Sequence, residues 1–302
     1  MPMLSLLKEA YPSAKILTDE PMLKHSTFRV GGPCDIMFFP ENEEMLAFAI
    51  RAAKKENVPL TVIGNGSNLL VKDGGIRGLT VVLGEEFSGF SIDGNTVTAN
   101  AGEPLSRLAR ACQKASLTGL EFASGIPGTL GGAMAMNAGA YGGEMKDVCV
   151  SARCMSLEDG SVQEYTLDEL ELTYRNSMPL KTGKIVTSAV FRLETGNPAE
   201  ILAKMEDLNA RRREKQPLSY PSAGSTFKRP EGYFAGALIE GANLKGYSVG
   251  GAQVSELHAG FVINKGGATA KDILDLIAHI QTTVFEKDGV RLETEVRILG
   301  DD

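Results

Sequence analysis

From Ser124 to Glu144 the chain runs Ser-Gly-Ile-Pro-Gly-Thr-Leu-Gly-Gly-Ala-Met-Ala-Met-Asn-Ala-Gly-Ala-Tyr-Gly-Gly-Glu, a stretch dominated by glycine and alanine. Ordinary loops are not built this way. Residues without side chains let backbone come close to a flat or extended ligand, while Pro127 restrains the freedom that so much glycine brings. Helices packed tightly through small residues are the alternative reading.

A second glycine segment, Gly64-Asn65-Gly66-Ser67-Asn68-Leu69, follows the short apolar run of residues 59–63. Two glycines and three small polar residues past a strand allow backbone N–H groups to converge on an anion such as a phosphate. Leu69 occupies the third glycine position of a dinucleotide-binding G-x-G-x-x-G, and no Lys-Ser/Thr pair of a P-loop follows. A plain surface turn is equally compatible with this segment taken alone.

Around these segments helices and strands alternate irregularly. Residues 43–55 carry a helical apolar stripe, residues 59–64, 79–83 and 96–99 read as strands, and Leu105, Leu108, Ala109 and Cys112 mark a helix started by Pro104 at its first position. Residues 148–157 and 161–165 flank Asp159-Gly160, a tight hairpin signal, and residues 185–193 form another strand. Asn197-Pro198, where the main domain boundary is expected, opens a helix to about residue 214. A strand at 260–264, a helix at 270–287 and a closing strand at 290–299 complete an α+β chain. With 302 residues, 43% hydrophobic and 23% charged, two or three compact units are expected.

Bulk charge narrows the function. A net charge of -7 disfavours nucleic acid and anionic membranes as partners. Cys34, Cys112, Cys149 and Cys154 form no C-x-x-C, and His25, His258 and His279 are far apart, so no metal-ligand spacing exists and the thiols are expected free in a reducing compartment. Neither a signal peptide nor a spanning segment is visible, which points to the cytoplasm.

The pattern G-x-G-S-N-L-L, followed some sixty residues later by S-G-I-P-G-T-x-G-G-A and N-A-G-A-Y-G, resembles the FAD-binding half of the UDP-N-acetylenolpyruvoylglucosamine reductases. The resemblance continues through Thr173-Tyr174-Arg175-Asn176-Ser177, Lys215-Gln216-Pro217, Ala223-Gly224-Ser225-Thr226-Phe227-Lys228, Gly250-Gly251-Ala252-Gln253-Val254, His258-Ala259-Gly260-Phe261 and Leu292-Glu293-Thr294-Glu295-Val296. It implies a vanillyl-alcohol-oxidase-type FAD-binding fold of two α+β subdomains, residues 1–95 and 96–196, with an α+β substrate-binding domain over 197–302. It also implies non-covalent FAD, since no histidine or cysteine stands at positions 64–68, NADPH as co-substrate, and UDP-N-acetylglucosamine enolpyruvate as substrate. A monomer is expected. The short interval from Arg175 to Lys215 matches the subtype without a tyrosine-bearing flap.

By the same resemblance FAD is met by Gly64, Asn65, Gly66, Ser67, Asn68, Leu69, Gly125, Ile126, Pro127, Gly128, Gly131, Gly132, Asn137, Tyr141 and Arg297. Substrate is met by Tyr174, Lys215, Lys228, Arg229 and Gln253. Arg229 stands where longer relatives carry asparagine, and Arg211 and Arg212 suit a helix C-terminus without any ligand.

The resemblance assigns catalysis to Arg175, Ser225 and Glu295. Hydride from flavin N5 to the enolpyruvyl group leaves negative charge delocalised into the substrate carboxylate. A cationic, planar Arg175 fits that charge, whereas an arbitrary strand-end arginine forms a surface ion pair. Ser225, beside Gly224, is the proton donor; an arbitrary serine there is a turn residue. Glu295 is thrown by strand alternation to the face opposite Val290, Leu292, Val296 and Ile298, a polar face if not a site, and would need a proton or a neighbouring cation to stand beside an anion. A serine hydrolase is disfavoured because Ser225 lacks the glycine at +2 of a nucleophile elbow. A binding module without catalysis and another flavin oxidoreductase of the same fold are the remaining alternatives.

Overall fold

The computed structural model describes residues 2–302 as two compact units. The first comprises residues 2–18, Ile36–Asn65 and Gly78–Arg211; the second comprises Asp19–Asp35, Gly66–Arg77 and Arg212–Asp302.

In the first unit, α1 (Pro2–Ala10) and α2 (Glu43–Lys55) accompany a four-stranded sheet ordered Lys15–Pro21, Pro33–Phe39, Ile76–Val82, Leu60–Ile63. The sequence specifies α2 locally. Asn42 accepts a hydrogen bond from the Met45 N–H at 3.0 Å, Glu43 and Glu44 fill the first turn, and Lys54 and Lys55 fill the last. Its apolar stripe buries Leu46 and Ile50, each contributing about 1.5–3 kcal/mol. The helix α3 (Leu105–Lys114) begins one residue later than its proline signal suggested: Pro104, at ψ 129°, is the cap rather than the first helical residue.

The same unit holds an antiparallel five-stranded sheet, ordered Val162–Thr166, Cys149–Met155, Ile185–Arg192, Thr96–Asn100, Phe90–Asp93. Gly160 turns the expected hairpin at φ 72°. Two further helices, α4 (Leu130–Ala135) and α5 (Met178–Thr182), lie on this half. The long α6 (Pro198–Lys215) starts as expected, with Asn197 Oδ1 accepting from Ala199 N–H at 2.9 Å. Because α6 buries Ile201 and Met205 in the core of Val97, Leu105, Phe191 and their neighbours, its residues through Arg211 pack with the first unit. The packing division therefore differs from the chain-order boundary at 196/197.

The second unit contains α7 (Ala235–Gly241), α8 (Ala270–Asp288) and a three-stranded antiparallel sheet of Ser248–Val249, Ala252–Val254 and Val262–Asn264. Thr269 and Asp272 form a reciprocal capping box at the start of α8, and Gly289 ends it at φ 69°. Phe28, Val30 and Leu70 join this core although they lie far away in sequence. The closing strand is shorter than its alternation predicts. Only Arg297–Leu299 pairs as a strand, in parallel with Leu69–Val71, while Thr294 forms an isolated antiparallel bridge to Phe227. Changing partner at Val296 breaks the alternation: Leu292 and Val296 are buried, but Ile298 is 39% exposed.

All four cysteines are buried and none forms a disulfide among the described residues, and burial pushes the thiols of Cys112, Cys149 and Cys154 up to about 12. Among the described residues no helix is long and apolar enough to cross a membrane, and no group of three or more His, Cys, Asp or Glu could hold a metal.

Candidate active site

In the first unit the two glycine segments meet. The Asn65 side chain donates to the Pro127 carbonyl at 2.6 Å, and Gly64 lies so close to the Thr129 hydroxyl that a Cβ there would collide with it. Residues 101–105 brace the second segment from behind: Leu105 N–H bonds Gly128 O at 3.1 Å, Leu130 N–H bonds Glu103 O at 2.9 Å, and Gly131 N–H bonds Ala101 O at 2.8 Å. Gly131 is thus packed, with Ala101 Cβ 2.9 Å from where its own Cβ would stand. Gly132 differs. It is exposed, and an added Cβ would meet nothing within 4 Å, which leaves bare helix backbone open to a ligand.

Beyond α4 the segment holds itself. Asn137, buried and at φ 41°, donates to Glu144 at 2.7 Å and accepts from Lys146 N–H at 3.0 Å. Its amide is therefore engaged within the loop, whereas the Tyr141 ring is 43% exposed. Gly125, Ile126 and Gly128 are half-buried and Pro127 is exposed. Tyr174 and Arg175 occupy the tip of a tight turn closed by Thr173 N–H to Asn176 O at 3.0 Å and Asn176 N–H to Thr173 O at 3.1 Å. Arg175 adopts φ 55°, and its guanidinium lies over the Tyr174 ring at 5.1 Å.

The second unit assembles the remaining residues. Gly66 turns at φ 61° against the His25 carbonyl, and Asn68 donates its amide to Glu295 O at 3.1 Å. Arg297 N–H bonds Asn68 O at 2.9 Å, and Arg297 stands opposite Leu69 in the parallel pair. Ser67, Asn68 and Leu69 are half-buried and Arg297 is exposed. Thr226 is held on two sides: its N–H bonds Gly260 O at 2.9 Å and its carbonyl accepts from Glu295 N–H at 2.8 Å. Thr226, the residue after Ser225, thereby stands opposite Glu295 on the adjacent segment. Ser225 is half-buried and its hydroxyl makes no hydrogen bond among the described residues, and Gly224 beside it has φ 76° with open space around it.

Of the basic candidates, Lys228 pairs with Glu293 at 3.1 Å, and Arg229 lies 4.0 Å from the Phe234 ring centroid. Lys215 is exposed at the end of α6. Gln253 spends its amide on neighbours, donating to Gly246 O and Ser248 Oγ at 3.1 Å each and accepting from Lys265 at 3.0 Å. The sequence reading overlooked Ser177, which is fully buried and caps α5 by accepting from Leu180 N–H at 3.2 Å. A serine two residues before Pro179 was the available signal.

Comparisons with known proteins give this arrangement its context. Residues 34–166 match the FAD binding domain family, and residues 216–299 match the family described as UDP-N-acetylenolpyruvoylglucosamine reductase, C-terminal domain. The solved UDP-N-acetylenolpyruvylglucosamine reductase of Thermus caldophilus superposes with a TM-score of 0.80 at 34% identity, covering 95% of this chain and 99% of that one. An alkyldihydroxyacetonephosphate synthase at 17% identity and TM-score 0.50 shares the fold over 64% of this chain and 40% of its own.

The class these define is an FAD-dependent oxidoreductase built on the vanillyl-alcohol-oxidase-type α+β fold. Curated relatives fix the family. The UDP-N-acetylenolpyruvoylglucosamine reductase of Alkaliphilus oremlandii is 54% identical over 98% of this chain and 97% of its own, and that of Clostridioides difficile is 55% identical over 95% and 94%. The chain belongs to the UDP-N-acetylenolpyruvoylglucosamine reductase family. FAD is its cofactor and NADPH its co-substrate. The open backbone at Gly132 and the joined glycine segments fit such a cofactor.

Proposed function

We propose that the chain catalyses NADPH-driven reduction of the enolpyruvyl ether of UDP-N-acetylglucosamine enolpyruvate, giving UDP-N-acetylmuramate for peptidoglycan precursor synthesis. The observation that supports the mechanistic reading is the Ser225 hydroxyl, without a hydrogen-bond partner among the described residues, next to an unencumbered Gly224 and one residue before Thr226, whose carbonyl accepts the Glu295 N–H.

The glycine segments of residues 64–69 and 125–132 would hold FAD, which when bound would supply a hydride for the enolpyruvyl group. Arg175 binds the substrate carboxylate, and its fixed charge and planar fork hold the enediolate more tightly than the starting acid. Ser225 holds the proton that the carbanionic carbon takes up. A hydroxyl is a weak acid, so this transfer requires a strong carbon base and the exclusion of water. Glu295 stabilises the same anion, and because an ionised carboxylate would repel it, Glu295 carries a proton or a neighbouring cation in the productive complex. Lys215, Lys228 and Arg229 bind the diphosphate, Tyr174 and Gln253 also serve the substrate, and NADPH and substrate are taken in turn. The reaction belongs to a reducing cytoplasm, consistent with cysteines that form no disulfide among the described residues, and the working form is a monomer without nucleic-acid or membrane partners.

The two half-reactions test this reading separately. NADPH should bleach the flavin of Ser225→Ala within about twofold of the parent rate, whereas recovery of colour on adding substrate should slow about 10²-fold, as for loss of a positioned proton donor. Equal damage to both half-reactions, or unimpaired recovery, overturns the assignment of Ser225.

A further inference from the structure

In the second unit the chain after Ser225 runs beside the chain that carries Glu295. Lys228 N–H bonds Glu293 O at 2.9 Å, Thr294 bridges Phe227 in antiparallel sense, and Glu295 N–H bonds Thr226 O at 2.8 Å. Thr226 is tied to a third segment as well. Its N–H bonds Gly260 O at 2.9 Å, and its hydroxyl accepts the Val262 N–H at 2.9 Å. Both Thr226 and Val262 are buried.

Any residue but proline could make the two main-chain bonds of position 226. The third needs a hydroxyl on Cβ. Valine, of nearly the same shape, would leave the buried Val262 N–H without that acceptor. A single hydrogen bond lets a segment swivel, whereas two from one residue, through its N–H and its side chain, fix the direction in which the chain leaves residues 260–262. That direction matters at Ser225. Gly224 before it has φ 76° with nothing within 4 Å of an added Cβ, and the Ser225 hydroxyl has no hydrogen-bond partner among the described residues. The serine thus inherits its orientation from Thr226.

We infer that Thr226 is a positioning residue for the proton transfer: its hydroxyl, by holding Val262, sets the aim of Ser225, while its carbonyl holds the segment of Glu295. Thr226 acts through Ser225 and touches no substrate. The inference rests on the proton-donor role proposed for Ser225 and on no contact with FAD.

The two half-reactions of the holoenzyme separate positioning from plain loss of stability. In Thr226→Val, bleaching by NADPH should stay within about twofold of the parent, while recovery of colour on adding substrate should slow about tenfold, the scale of a reacting group displaced by less than an ångström. Thr226→Ser, which keeps the hydroxyl, should recover within about twofold of the parent. Asn42→Ala strips the cap of α2 in the first unit, lowering stability without touching this ladder, and should leave the ratio of the two rates unchanged. Adding Thr226→Val to Ser225→Ala should slow recovery no further than Ser225→Ala alone, because the group to be positioned is gone. Parent-like recovery in Thr226→Val, equal slowing in Thr226→Ser or Asn42→Ala, or further slowing in the double variant overturns the inference. If Thr226→Val does not fold, Thr226→Ala compared with Thr226→Ser reads the hydroxyl alone, and equal recovery of that pair rejects it. Slow recovery in Ser225→Ala beside parent-like recovery in Thr226→Val rejects the positioning role only, whereas parent-like recovery in Ser225→Ala rejects the proton-donor role and this inference with it.

Discussion

The Ser177 hydroxyl donates to the Ala135 carbonyl at 2.8 Å, tying the turn that presents Tyr174 and Arg175 to the last residue of the glycine-rich helix α4. One side chain thus serves two ends. The same oxygen caps α5, so the position of Arg175 is referenced to the backbone of α4.

Ser177→Ala removes both bonds at a fully buried site. Loss of the cap costs about 1 kcal/mol, and the stranded Ala135 carbonyl costs about 1 kcal/mol more. Urea unfolding should show a lower midpoint with an unchanged slope. Substrate-driven recovery of flavin colour should slow more than bleaching by NADPH, because Arg175 serves the former. A midpoint equal to the parent would mean that neither bond stabilises the fold.

Gly132 offers a test in which stability and binding move in opposite directions. Gly132→Ala puts a methyl group where no neighbour stands within 4 Å, inside a helix where alanine is favoured over glycine by about 1 kcal/mol. FAD-free protein should melt higher. FAD should bind about tenfold more weakly or worse if its approach uses the open backbone, a steric loss comparable to that of overpacking a filled site. Unchanged affinity would show that the cofactor lies elsewhere.

The elements most legible in the sequence are those whose cause is local. Asn42 with the acidic pair that follows it, Asn197-Pro198, and Thr269 with Asp272 each announce a helix start, and the structure puts helices there. The glycine runs are local in the same way, and the structure holds their Asn65 to Pro127 and their Asn68 to Glu295. What escaped depends on partners distant in sequence. Ile298 looked like a continuation of the face of Leu292 and Val296 until the chain exchanged Phe227 for Leu69–Val71 as its neighbour. The buried role of Ser177 appears only with Ala135 opposite. The left-handed backbone at Asn137 and Arg175 is likewise imposed by closure of the surrounding loop.

His258 gives the second unit a pH dependence of known sign. Its Nδ1 accepts the Gly260 N–H at 3.1 Å, which requires that nitrogen to be unprotonated, and Gly260 O in turn holds Thr226. Burial pushes His258 below its ordinary 6.5, with Lys245 acting in the same direction and Glu240 against it. A depressed folded value means that the unfolded chain binds the extra proton first. This contribution to stability is therefore complete above pH 6.5 and is lost as pH falls from there toward the folded value. Chemical unfolding from pH 7.5 to pH 5, as round test points spanning about one unit or more around a free imidazole, should show a shallower decline for His258→Gln than for the parent. Parallel declines would show that His258 does not carry this dependence.

Arg175 is held in left-handed backbone that costs a side-chain-bearing residue about 1–2 kcal/mol and costs glycine almost nothing. Such strain persists where a side chain must be aimed, and here it presents a guanidinium from the tip of a two-residue turn. Arg175→Gly should therefore leave equilibrium stability undiminished or raise it by up to about 1 kcal/mol, even though the contact with the Tyr174 ring is lost. Substrate-driven recovery should fall by about 10²-fold or more, the scale of losing a fixed charge aimed at a developing anion. Arg175→Lys should recover part of that rate, since it restores charge without the planar fork, and should show none of the stability gain. A drop in stability for the glycine variant would mean that Arg175 is kept for its contacts within the fold, and the strain would then have no functional cause.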